Sequence, residues 1–480
     1  MVIAVDVGTS SARASAYTTD GRPVAGLYHR APYEPRVMGD GGVEHDPRAL
    51  FAAVATCLDA VCARAGRAAV RGVGVATFWH GLCGFDAAGE AVTPVYMWGD
   101  SRSARDAAVL RDALDETALH ARTGCHLHSS YWPAKLRWLA RERPVEAQRV
   151  ARWGSFGEHL ELTIFGDAAT SVSMASATGL FDIAAGTWDA EALAAAGIEA
   201  RQLFRVVDRT DSRRGLRAEW AARWPALHAV PWFPAIGDGA ASNVGSDCIA
   251  RDRIALNVGT SAALRVATDA SRQPPRGLWR YAVDRGRLLL GGATSEGGNV
   301  YAWCRETLRL PDDAVLERHL DAMPPDVHGL TVLPFLAGER APGWRGDRRG
   351  AVTGLSLDTQ PIDIVRAALE AVAVRLALVY RLLAPHAARE HVIVASGGAV
   401  TRSRAWMRIL ADALGHAVTR SHEAEATSRG AALLALNALG AVPDLAAGRG
   451  PIGETFAPDP ARHARYREAL ERQRAFDERV

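Results

Sequence analysis

The sequence predicts an α/β fold of two similar domains that face each other across a central cleft. An internal repeat is the first observation: residues 3–12 read IAVDVGTSSA and residues 254–263 read IALNVGTSAA, with seven of ten positions identical. Chance is a poor explanation for such a match. The second observation is that strand-like and helix-like segments alternate along each half. The third is the length of 480 residues, which suggests two to four domains.

Each copy of the repeat has the pattern of a β-hairpin. An apolar run leads into Gly-Thr-Ser, and a second run follows, RASAY in the first copy and ALRVA in the second. Small residues between two such runs are typical of a tight turn between antiparallel strands. Both halves are therefore expected to begin with the same hairpin.

The rest of the first half alternates between strands and helices. Asp46-Pro47 combines an N-cap residue with a proline suited to the first helical position, so a helix is predicted from there to about Ala65. Asp20-Gly21 and the segment 86–89 have the composition of hairpin turns. Strands are predicted near 11–18, 23–30, 72–77, 82–86 and 91–96, and helices near 102–118 and 133–141.

The second half follows the same alternation. LTVLPF (330–335) and HVIVAS (391–396) are predicted to be strands. The domain boundary is expected near 246–253, which gives a first domain of 1–246 and a second of 247–480. Residues 459–478, rich in arginine, are interpreted as a solvated terminal helix. The other predicted helices are 361–384, 402–414 and 425–439.

The composition excludes several classes of protein. With 48% hydrophobic and 23% charged residues, the chain is neither disordered nor of low complexity. The net charge of +2 gives no reason to expect a nucleic-acid or membrane partner, and no uncharged apolar stretch approaches the ~20 residues of a membrane helix. The N-terminus lacks the basic start and apolar core of an export signal. The six cysteines form no CxxC pair and are interpreted as buried thiols in a reducing cytoplasm.

The two Gly-Thr-Ser turns are the strongest chemical pattern. Successive backbone N–H groups at such a turn form an anion-binding concavity, to which the hydroxyl groups add donors. One turn in each domain indicates two jaws that grip one polyphosphate. Asp6 precedes the first turn by two residues and is predicted to hold Mg²⁺ beside the phosphates; the alternative is that Asp6 only caps the turn. The matching residue in the second copy is the neutral Asn257.

A second carboxylate stands in GDGAASNVG, residues 237–245. The flanking glycines suggest that Asp238 sits on exposed, tightly turned backbone, and the small residues that follow predict a helix that begins there. A carboxylate at a helix N-terminus is stabilised as the anion. Phosphoryl transfer from ATP uses such a group to accept or orient the proton of the attacking hydroxyl. The alternative is a plain helix cap.

Two glycine-rich segments of the second half could lie beside a nucleotide. In SGGAVTRS (396–403) a strand ends and a helix begins, and GGATSEGGNVYAW (291–303) is interpreted as another glycine-rich entry to a helix. Each pattern alone is more often a simple turn than a ligand loop. The two segments support a nucleotide-binding site only in combination with the two Gly-Thr-Ser turns.

Taken in order, these motifs resemble the FGGY family of carbohydrate kinases over essentially the whole chain. DVGTSSAR (6–13) resembles the family's first phosphate motif, and WGDSR (98–102) its W-x-D-x-R element. KLRWLARE (135–142) and GAVTGLSLDTQPIDIVRAALE (350–370) resemble the two family signatures, and SGGAVTRS its adenosine motif. One departure is that Trp132 stands where the first signature expects Pro, Ser or Thr, with Pro133 displaced by one.

The resemblance implies two actin-like, ribonuclease-H-like domains, with the sugar bound mainly by the first domain and ATP mainly by the second. It implies ATP and Mg²⁺ as cofactors and Asp238 as the catalytic base. The residues that it implies for nucleotide binding lie in the phosphate and adenosine motifs: Gly8, Thr9, Ser10, Arg13, Gly259, Thr260, Gly298, Gly397, Gly398 and Arg402.

The sugar is expected to contact the first domain and Asp238. In relatives the segment that corresponds to TFWHG (77–81) reaches the polyol, which makes Trp79 and His80 the expected contacts. His80 follows a predicted strand, where ligand-binding residues of open α/β sheets lie. Asp100 and Arg102 either contact the substrate or brace their loop.

The segments FWHGL, TGCHLHSSYWPAKLRWL and MASATGLFD most resemble the gluconokinase branch, with xylulokinases as near relatives. Gluconate is therefore the expected acceptor, and D-xylulose or another polyol is the alternative. A carboxylate requires cationic or N–H partners. The sequence cannot place the candidates, which are Arg102, Lys135 (the only lysine), His126 and His128. The expected binding partners are ATP and a sugar or sugar acid. The sequence does not decide between a monomer and a homodimer.

Two other classes of protein fit the motifs less well. A chaperone-like or filament-forming ATPase would share the repeated hairpins but would not need the W-x-D-x-R element or the second signature. A catalytically inactive sugar sensor would be expected to lose Asp6 or Asp238, and both are present. The prediction is therefore an active kinase that transfers the γ-phosphoryl group of ATP to a hydroxyl of a small sugar or sugar acid.

Overall fold

A computed structural model of the chain describes residues 1–66, 69–269, 273–446 and 452–480. Each half contains one principal sheet flanked by helices, which confirms the predicted α/β fold of two similar domains. The repeat reappears in the topology. In each principal sheet the first strand of the Gly-Thr-Ser hairpin also pairs in parallel with a later strand, residues 73–77 in the first half and 392–396 in the second.

The first half is built on a five-stranded sheet with the order β14-β6-β1-β2-β3. Its strands are β1 (Val2–Val7), β2 (Ser11–Tyr17), β3 (Pro23–Pro32), β4 (Arg36–Val37), β5 (Val43–His45), β6 (Val73–Thr77), β7 (Cys83–Phe85), β8 (Val95–Tyr96), β9 (Arg152–Gly154), β10 (Thr170–Ser171), β11 (Phe181–Asp182), β12 (Thr187–Trp188), β13 (Val206–Val207) and β14 (Ile236–Gly237). Its helices are α1 (Pro47–Ala65), α2 (Ala104–Ala113), α3 (Glu116–Thr123), α4 (Trp132–Glu142), α5 (Pro144–Gln148), α6 (Phe156–Phe165), α7 (Val172–Ser176), α8 (Ala190–Ala196), α9 (Ala218–Arg223), α10 (Pro225–His228) and α11 (Asp238–Gly245).

The second half is built on a seven-stranded sheet with the order β17-β18-β16-β15-β21-β22-β23. Its strands are β15 (Arg253–Val258), β16 (Ala262–Thr268), β17 (Trp279–Asp284), β18 (Arg287–Thr294), β19 (Thr331–Leu333), β20 (Ala351–Thr353), β21 (Val392–Ser396), β22 (Val418–Ser421) and β23 (Ile452–Phe456). Its helices are α12 (Gly298–Thr307), α13 (Asp313–Ala322), α14 (Pro361–Leu383), α15 (Gly398–Thr401), α16 (Arg404–Leu414), α17 (Ala426–Ala438) and α18 (Pro460–Asp477).

The two halves meet where α11 of the first packs on α17 of the second. A Cβ atom added at Gly245 would lie 1.7 Å from the carbonyl oxygen of Ala426, and one added at Gly430 would lie 1.8 Å from that of Ala241. Only glycine permits this backbone-to-backbone approach. The helix that begins at Asp238 is thereby fixed against the second half of the chain.

The predicted helix 102–118 is two helices. Leu114 is extended (φ −123°, ψ 153°), and the carboxylate of Asp115 accepts hydrogen bonds from the N–H groups of Thr117 and Ala118. An aspartate placed in this way starts a new helix rather than continuing the old one. The predicted strand 91–96 is also shorter than expected, because only Val95–Tyr96 is paired as a strand.

Gly291 and Gly292 do not lie in a loop that enters a helix, as the glycine-rich pattern suggested. Both are inside strand β18. A Cβ atom at Gly291 would lie 2.7 Å from the ring of Trp279, and one at Gly292 would lie 2.6 Å from Val379. The glycines therefore make room for side chains that pack over the strand.

The C-terminal helix α18 is not solvated on all sides, contrary to the sequence interpretation. One face buries Tyr466, Leu470, Gln473 and Asp477. The carboxylate of Asp477 accepts hydrogen bonds from Arg345 and from Arg375, whose Nη1 is 3.4 Å away. The same two arginines also bind Glu339, so the last helix is tied to the loop around residues 339–345.

All six cysteines lie in the described part of the chain and are free thiols. Five are buried, whereas Cys62 is half-buried, and desolvation raises the pKa of its thiol to about 11. Among the described helices, none has the length and apolar character needed to span a bilayer.

Candidate active site

A cavity between the two halves lies beside the carboxyl ends of three parallel strands. β6 pairs in parallel with β1 and with β14, so the residues that follow these strands emerge at one edge of the sheet, the usual place of ligand-binding residues in open α/β sheets. The first half lines the cavity with Phe78, Trp79, His80, Trp98 and Asp238, and the second half with Asn257, Ser261, Ala262, Ala263, Arg265, Trp279, Tyr281, Ala293 and Arg340.

Asp238 is the first residue of α11 and follows β14 directly. Its Oδ1 accepts a hydrogen bond of 2.8 Å from the N–H of Gly239, and the main-chain N–H of Trp79 also donates to the carboxylate. Desolvation raises the pKa of Asp238, against the opposing effect of the Arg265 charge. A carboxylate with a raised pKa in a ligand cavity is suited to accept a proton from a bound hydroxyl.

The glycines on either side of Asp238 make room for the indole ring of Trp79. They are not needed for a tight turn of the backbone. Gly237 has φ −61°, which any residue adopts. A Cβ atom at Gly237 would lie 1.9 Å from the Trp79 ring, and one at Gly239 would lie 2.4 Å from it. Trp79 is held in this position by a hydrogen bond of 3.0 Å from its Nε1 to the carbonyl of Ser173. The G-D-G pattern therefore allows Trp79 to press against the backbone that carries Asp238.

The first Gly-Thr-Ser turn is braced from outside. The hydroxyl of Tyr33 donates to the carbonyl of Gly8 (2.6 Å), His45 bonds the carbonyl of Thr9 (3.0 Å), and Trp98 Nε1 donates to Thr9 Oγ1 (3.3 Å). Because Trp98 also lines the cavity, this turn lies next to it. These contacts occupy oxygen atoms, and the N–H of Gly8 donates to the carbonyl of Ser11 (3.0 Å), so the N–H groups of Thr9 and Ser10 are the turn's candidates for binding an anion.

The second turn is one residue shorter than the first. Val258 pairs with Ala262 in the second hairpin, whereas Val7 pairs with Ala12 in the first. Ser261 of the second turn lines the cavity. Each turn therefore has a link to the cavity, the first through Trp98, which bonds Thr9, and the second through Ser261.

The glycines predicted to line the nucleotide gather around the second turn. The N–H of Gly298 donates to the carbonyl of Gly259 (2.7 Å). Gly397 has φ +99°, and a Cβ atom there would lie 2.3 Å from the carbonyl of Val258. Gly398 begins the short helix α15, which ends at Thr401 beside Arg402, and a Cβ atom at Gly398 would meet open space. Small residues here leave the second turn accessible from this side.

The buried Asp6 pairs with the half-buried Arg13. Arg13 Nη1 donates to Asp6 Oδ2 (2.9 Å), and Arg13 Nε lies 3.4 Å from Glu425 of the second half. Arg13, expected at the ATP phosphates, is thus placed on two carboxylates. Desolvation raises the pKa of Asp6 to about 6, and the nearby charge of Asp238 acts in the same direction. A buried carboxylate with a second carboxylate nearby offers oxygen ligands of the kind that a divalent cation such as Mg²⁺ prefers.

His80 has a left-handed backbone conformation (φ +66°) and is buried. Its Nε2 faces Arg340 Nη2 at 3.4 Å. Because an arginine can only donate, Nε2 must accept, and the proton lies on Nδ1, which donates to the carbonyl of Ala177 (2.7 Å). Desolvation and the Arg340 charge hold the pKa of His80 well below its usual range. His80 is therefore a neutral polar group in the cavity wall.

Asp100 and Arg102 are engaged with each other outside the cavity lining. Arg102 donates to the Asp100 carboxylate and, at 2.7 Å, to Glu44, and its guanidinium lies 4.4 Å from the Trp138 ring. Asp100 also accepts from the N–H of Val43 (3.2 Å). These contacts favour the bracing role over contact with the substrate.

The other three candidate partners of a carboxylate also make contacts elsewhere, although His128 Nε2 is buried without a hydrogen-bond partner among the described residues. Lys135 Nζ donates to the carbonyls of His80 (3.1 Å) and Ser130 (2.8 Å), and desolvation lowers its pKa to about 7. His126 Nε2 accepts from the N–H of Gly277 (3.2 Å). His128 Nδ1 accepts from the N–H of Ser130 (3.1 Å), and desolvation lowers its pKa to about 3. Lys135 thus supports the main chain at His80.

Arg265 and Arg340 are cavity residues that the sequence analysis did not identify. Arg265 is the charged residue within the otherwise apolar run ALRVA. A charge within a buried strand could have indicated a functional residue. Arg340 lies in a loop that only the tertiary fold brings to the cavity, so nothing in its local sequence indicates the position.

Comparison with known proteins confirms the resemblance. Residues 1–245 match the family described as "FGGY family of carbohydrate kinases, N-terminal domain", and residues 254–439 match its C-terminal domain. A gluconokinase of Bacillus subtilis (strain 168) is 27% identical over 472 residues, covering 96% of this chain and 91% of that protein.

Two solved structures from Lactobacillus acidophilus are similar to this chain. A ligand-bound xylulose kinase gives a TM-score of 0.91 at 25% identity, and a gluconate kinase gives a TM-score of 0.90 at 25% identity. Each comparison covers 99% of this chain and 97% of the other chain.

Proposed function

Because the chain belongs to the FGGY family of carbohydrate kinases, and so is an ATP-dependent sugar kinase, we propose that the compound it phosphorylates is gluconate. The observation that carries the proposal is the similarity to a gluconokinase over 96% of the chain. The likeness to a gluconate kinase structure supports it. We further propose that residues 1–246 bind the sugar acid and residues 247–480 bind ATP.

In the proposed mechanism Asp238 accepts the proton of the attacking hydroxyl. The hydroxyl oxygen forms a bond to the γ-phosphorus, the bond from that phosphorus to the bridging oxygen breaks, and ADP leaves. The N–H groups of Thr9 and Ser10 in the first turn and of Thr260 and Ser261 in the second stabilise the phosphate charge, since those of Gly8 and Gly259 donate within their turns. Closure of the cleft excludes water, which would otherwise receive the phosphoryl group.

The buried carboxylate of Asp6 fits a site for Mg²⁺, with Asp238 close enough for its charge to raise the pKa of Asp6. When bound, the ion would neutralise charge on the transferring phosphoryl group. Arg13 compensates the charge of Asp6 in its absence. Asn257 replaces a second acid on the other hairpin and donates to Ser396 Oγ (3.1 Å).

D-Xylulose is the second candidate substrate, since a xylulose kinase gives a TM-score of 0.91 at 25% identity. A screen of ATP consumption by the purified protein separates the candidates, with gluconate, D-xylulose, D-ribulose, glycerol and L-fuculose as acceptors and Asp238→Asn as the control. We expect the highest kcat/KM with gluconate. Faster turnover of D-xylulose would replace the proposed substrate. Sugar binding by calorimetry without turnover of any acceptor would instead indicate an inactive sugar sensor.

A further inference from the structure

The cavity carries an excess of positive charge. Of the described residues that line it, three carry a full charge: the carboxylate of Asp238 and the guanidinium groups of Arg265 and Arg340. His80 is neutral, as its two hydrogen bonds require. A cavity wall with two cations and one anion is balanced by a ligand that brings one further negative charge.

Arg265 has the less satisfied guanidinium of the two. Its Nε and Nη1 are shielded from water and lack a hydrogen-bond partner among the described residues. The guanidinium lies against the backbone beside Asp238, because a Cβ atom added at Gly239 would be 3.1 Å from its central carbon. Unpaired buried N–H groups are unfavourable, and here they adjoin the space that a substrate would fill.

The Arg340 guanidinium lies over two aromatic rings, and one of its nitrogens lacks a hydrogen-bond partner. Its guanidinium carbon lies 5.3 Å from the centre of the Trp98 ring and 5.9 Å from that of Trp344. Nη2 faces His80, while Nε has no partner in the part of the chain that the structure describes. The proximity of Arg340 contributes to lowering the pKa of Arg265 to about 10, although burial is the larger cause. The two cations are therefore neighbours.

We infer that Arg265, with Arg340 beside it, binds the carboxylate of a sugar-acid substrate and is the residue that selects a sugar acid over a neutral sugar. The inference rests on the proposed kinase function and adds the group that recognises the substrate's charge. An arginine offers several N–H donors in a planar fork that matches a carboxylate. Binding would supply partners for the Arg265 nitrogens that otherwise have none.

The test compares a charged substrate with a neutral analogue of nearly the same shape. kcat/KM is measured for gluconate and for D-gluconamide, which replaces the carboxylate by an amide, in the wild type and in Arg265→Met, Arg265→Lys and Arg280→Met. Arg280 is the matched control, because it is a buried arginine on the same sheet that donates to the carbonyl of Ala121 (3.1 Å). The KM for ATP is measured in every variant.

We expect the wild type and Arg280→Met to prefer gluconate over D-gluconamide by at least about tenfold. Arg265→Met should lose most of that preference through a higher KM for gluconate, and Arg265→Lys should retain part of it. Either of two results would overturn the inference. An equal loss of kcat/KM on gluconate and D-gluconamide would indicate that Arg265 acts on Asp238. A change confined to the KM for ATP would indicate that it contacts the phosphates.

Failure of the substrate proposal gives a different result. An enzyme that phosphorylates another sugar acid but not gluconate would refute gluconate, and Arg265→Met must then reduce activity on that acid relative to its amide. An enzyme that acts only on neutral sugars would overturn the carboxylate site while the kinase activity stands.

Discussion

Gly237 controls how closely Trp79 approaches the backbone of Asp238, and Gly237→Ala tests that packing. The new Cβ atom would lie 1.9 Å from Cε2 and Nε1 of the indole, whereas ordinary contacts begin near 3.4 Å, so the ring must move by about 1.5 Å. Overpacking of this kind costs about 1–3 kcal/mol. Loss of the hydrogen bond from Trp79 to Ser173 adds about 1 kcal/mol. We expect a total destabilisation of about 2–4 kcal/mol.

The same displacement should reduce catalysis, because a shift of about 1 Å in positioned groups costs about 10²-fold in rate. The assay is the thermal unfolding midpoint together with kcat for the preferred acceptor. Gly39→Ala is the control, since Gly39 is exposed and a Cβ atom there meets nothing within 4 Å. If Gly237→Ala equals Gly39→Ala in both measurements, the close packing of Trp79 on this backbone is refuted.

Three further outcomes are expected. Asp238→Asn should keep the fold and ATP binding but lower kcat by about 10²–10⁴-fold, and turnover within a few-fold of the wild type would exclude it as the base. Because desolvation raises the pKa of Asp238 above its usual value of about 3.8, kcat/KM should fall as the pH drops through a value above 3.8. A pH profile from about pH 4 to pH 8 that stays flat would contradict this. Arg102→Ala should destabilise the protein by about 3–5 kcal/mol, since the buried Asp100 loses its charged partner and the buried Glu44 keeps only the exposed Arg36. Arg36→Ala, which removes an exposed partner of the same Glu44, should cost at most about 1 kcal/mol, and equal unfolding midpoints would refute the bracing role.

The repeat predicted the principal architecture because it is a local pattern with a single structural meaning. A hairpin with a small-residue turn is encoded within ten residues, and both copies form it. Asp238 at the start of a helix was predicted for the same reason, since the strand, the turn and the helix are contiguous. Local signals of this kind need no knowledge of the rest of the chain.

The cations of the cavity could not be predicted in this way. Arg102 and Lys135 looked available in the sequence, yet partners from distant segments engage both of them, Glu44 for Arg102 and the carbonyl of His80 for Lys135. Arg340 reaches the cavity from a loop more than two hundred residues from His80. Whether a charged side chain is free or engaged depends on such long-range contacts, which composition and periodicity do not report.

The tie between Asp477 and the loop around residues 339–345 makes helix α18 a remote support of the cavity proposed to bind the sugar. Arg345 and Arg375 bridge Asp477 to Glu339, whose neighbour Arg340 lines that cavity. Cutting the chain before residue 470 would leave those arginines with half of their counter-charge. A truncated enzyme is therefore expected to bind its acceptor more weakly, while the proposed ATP site around residues 259 and 298 stays in place.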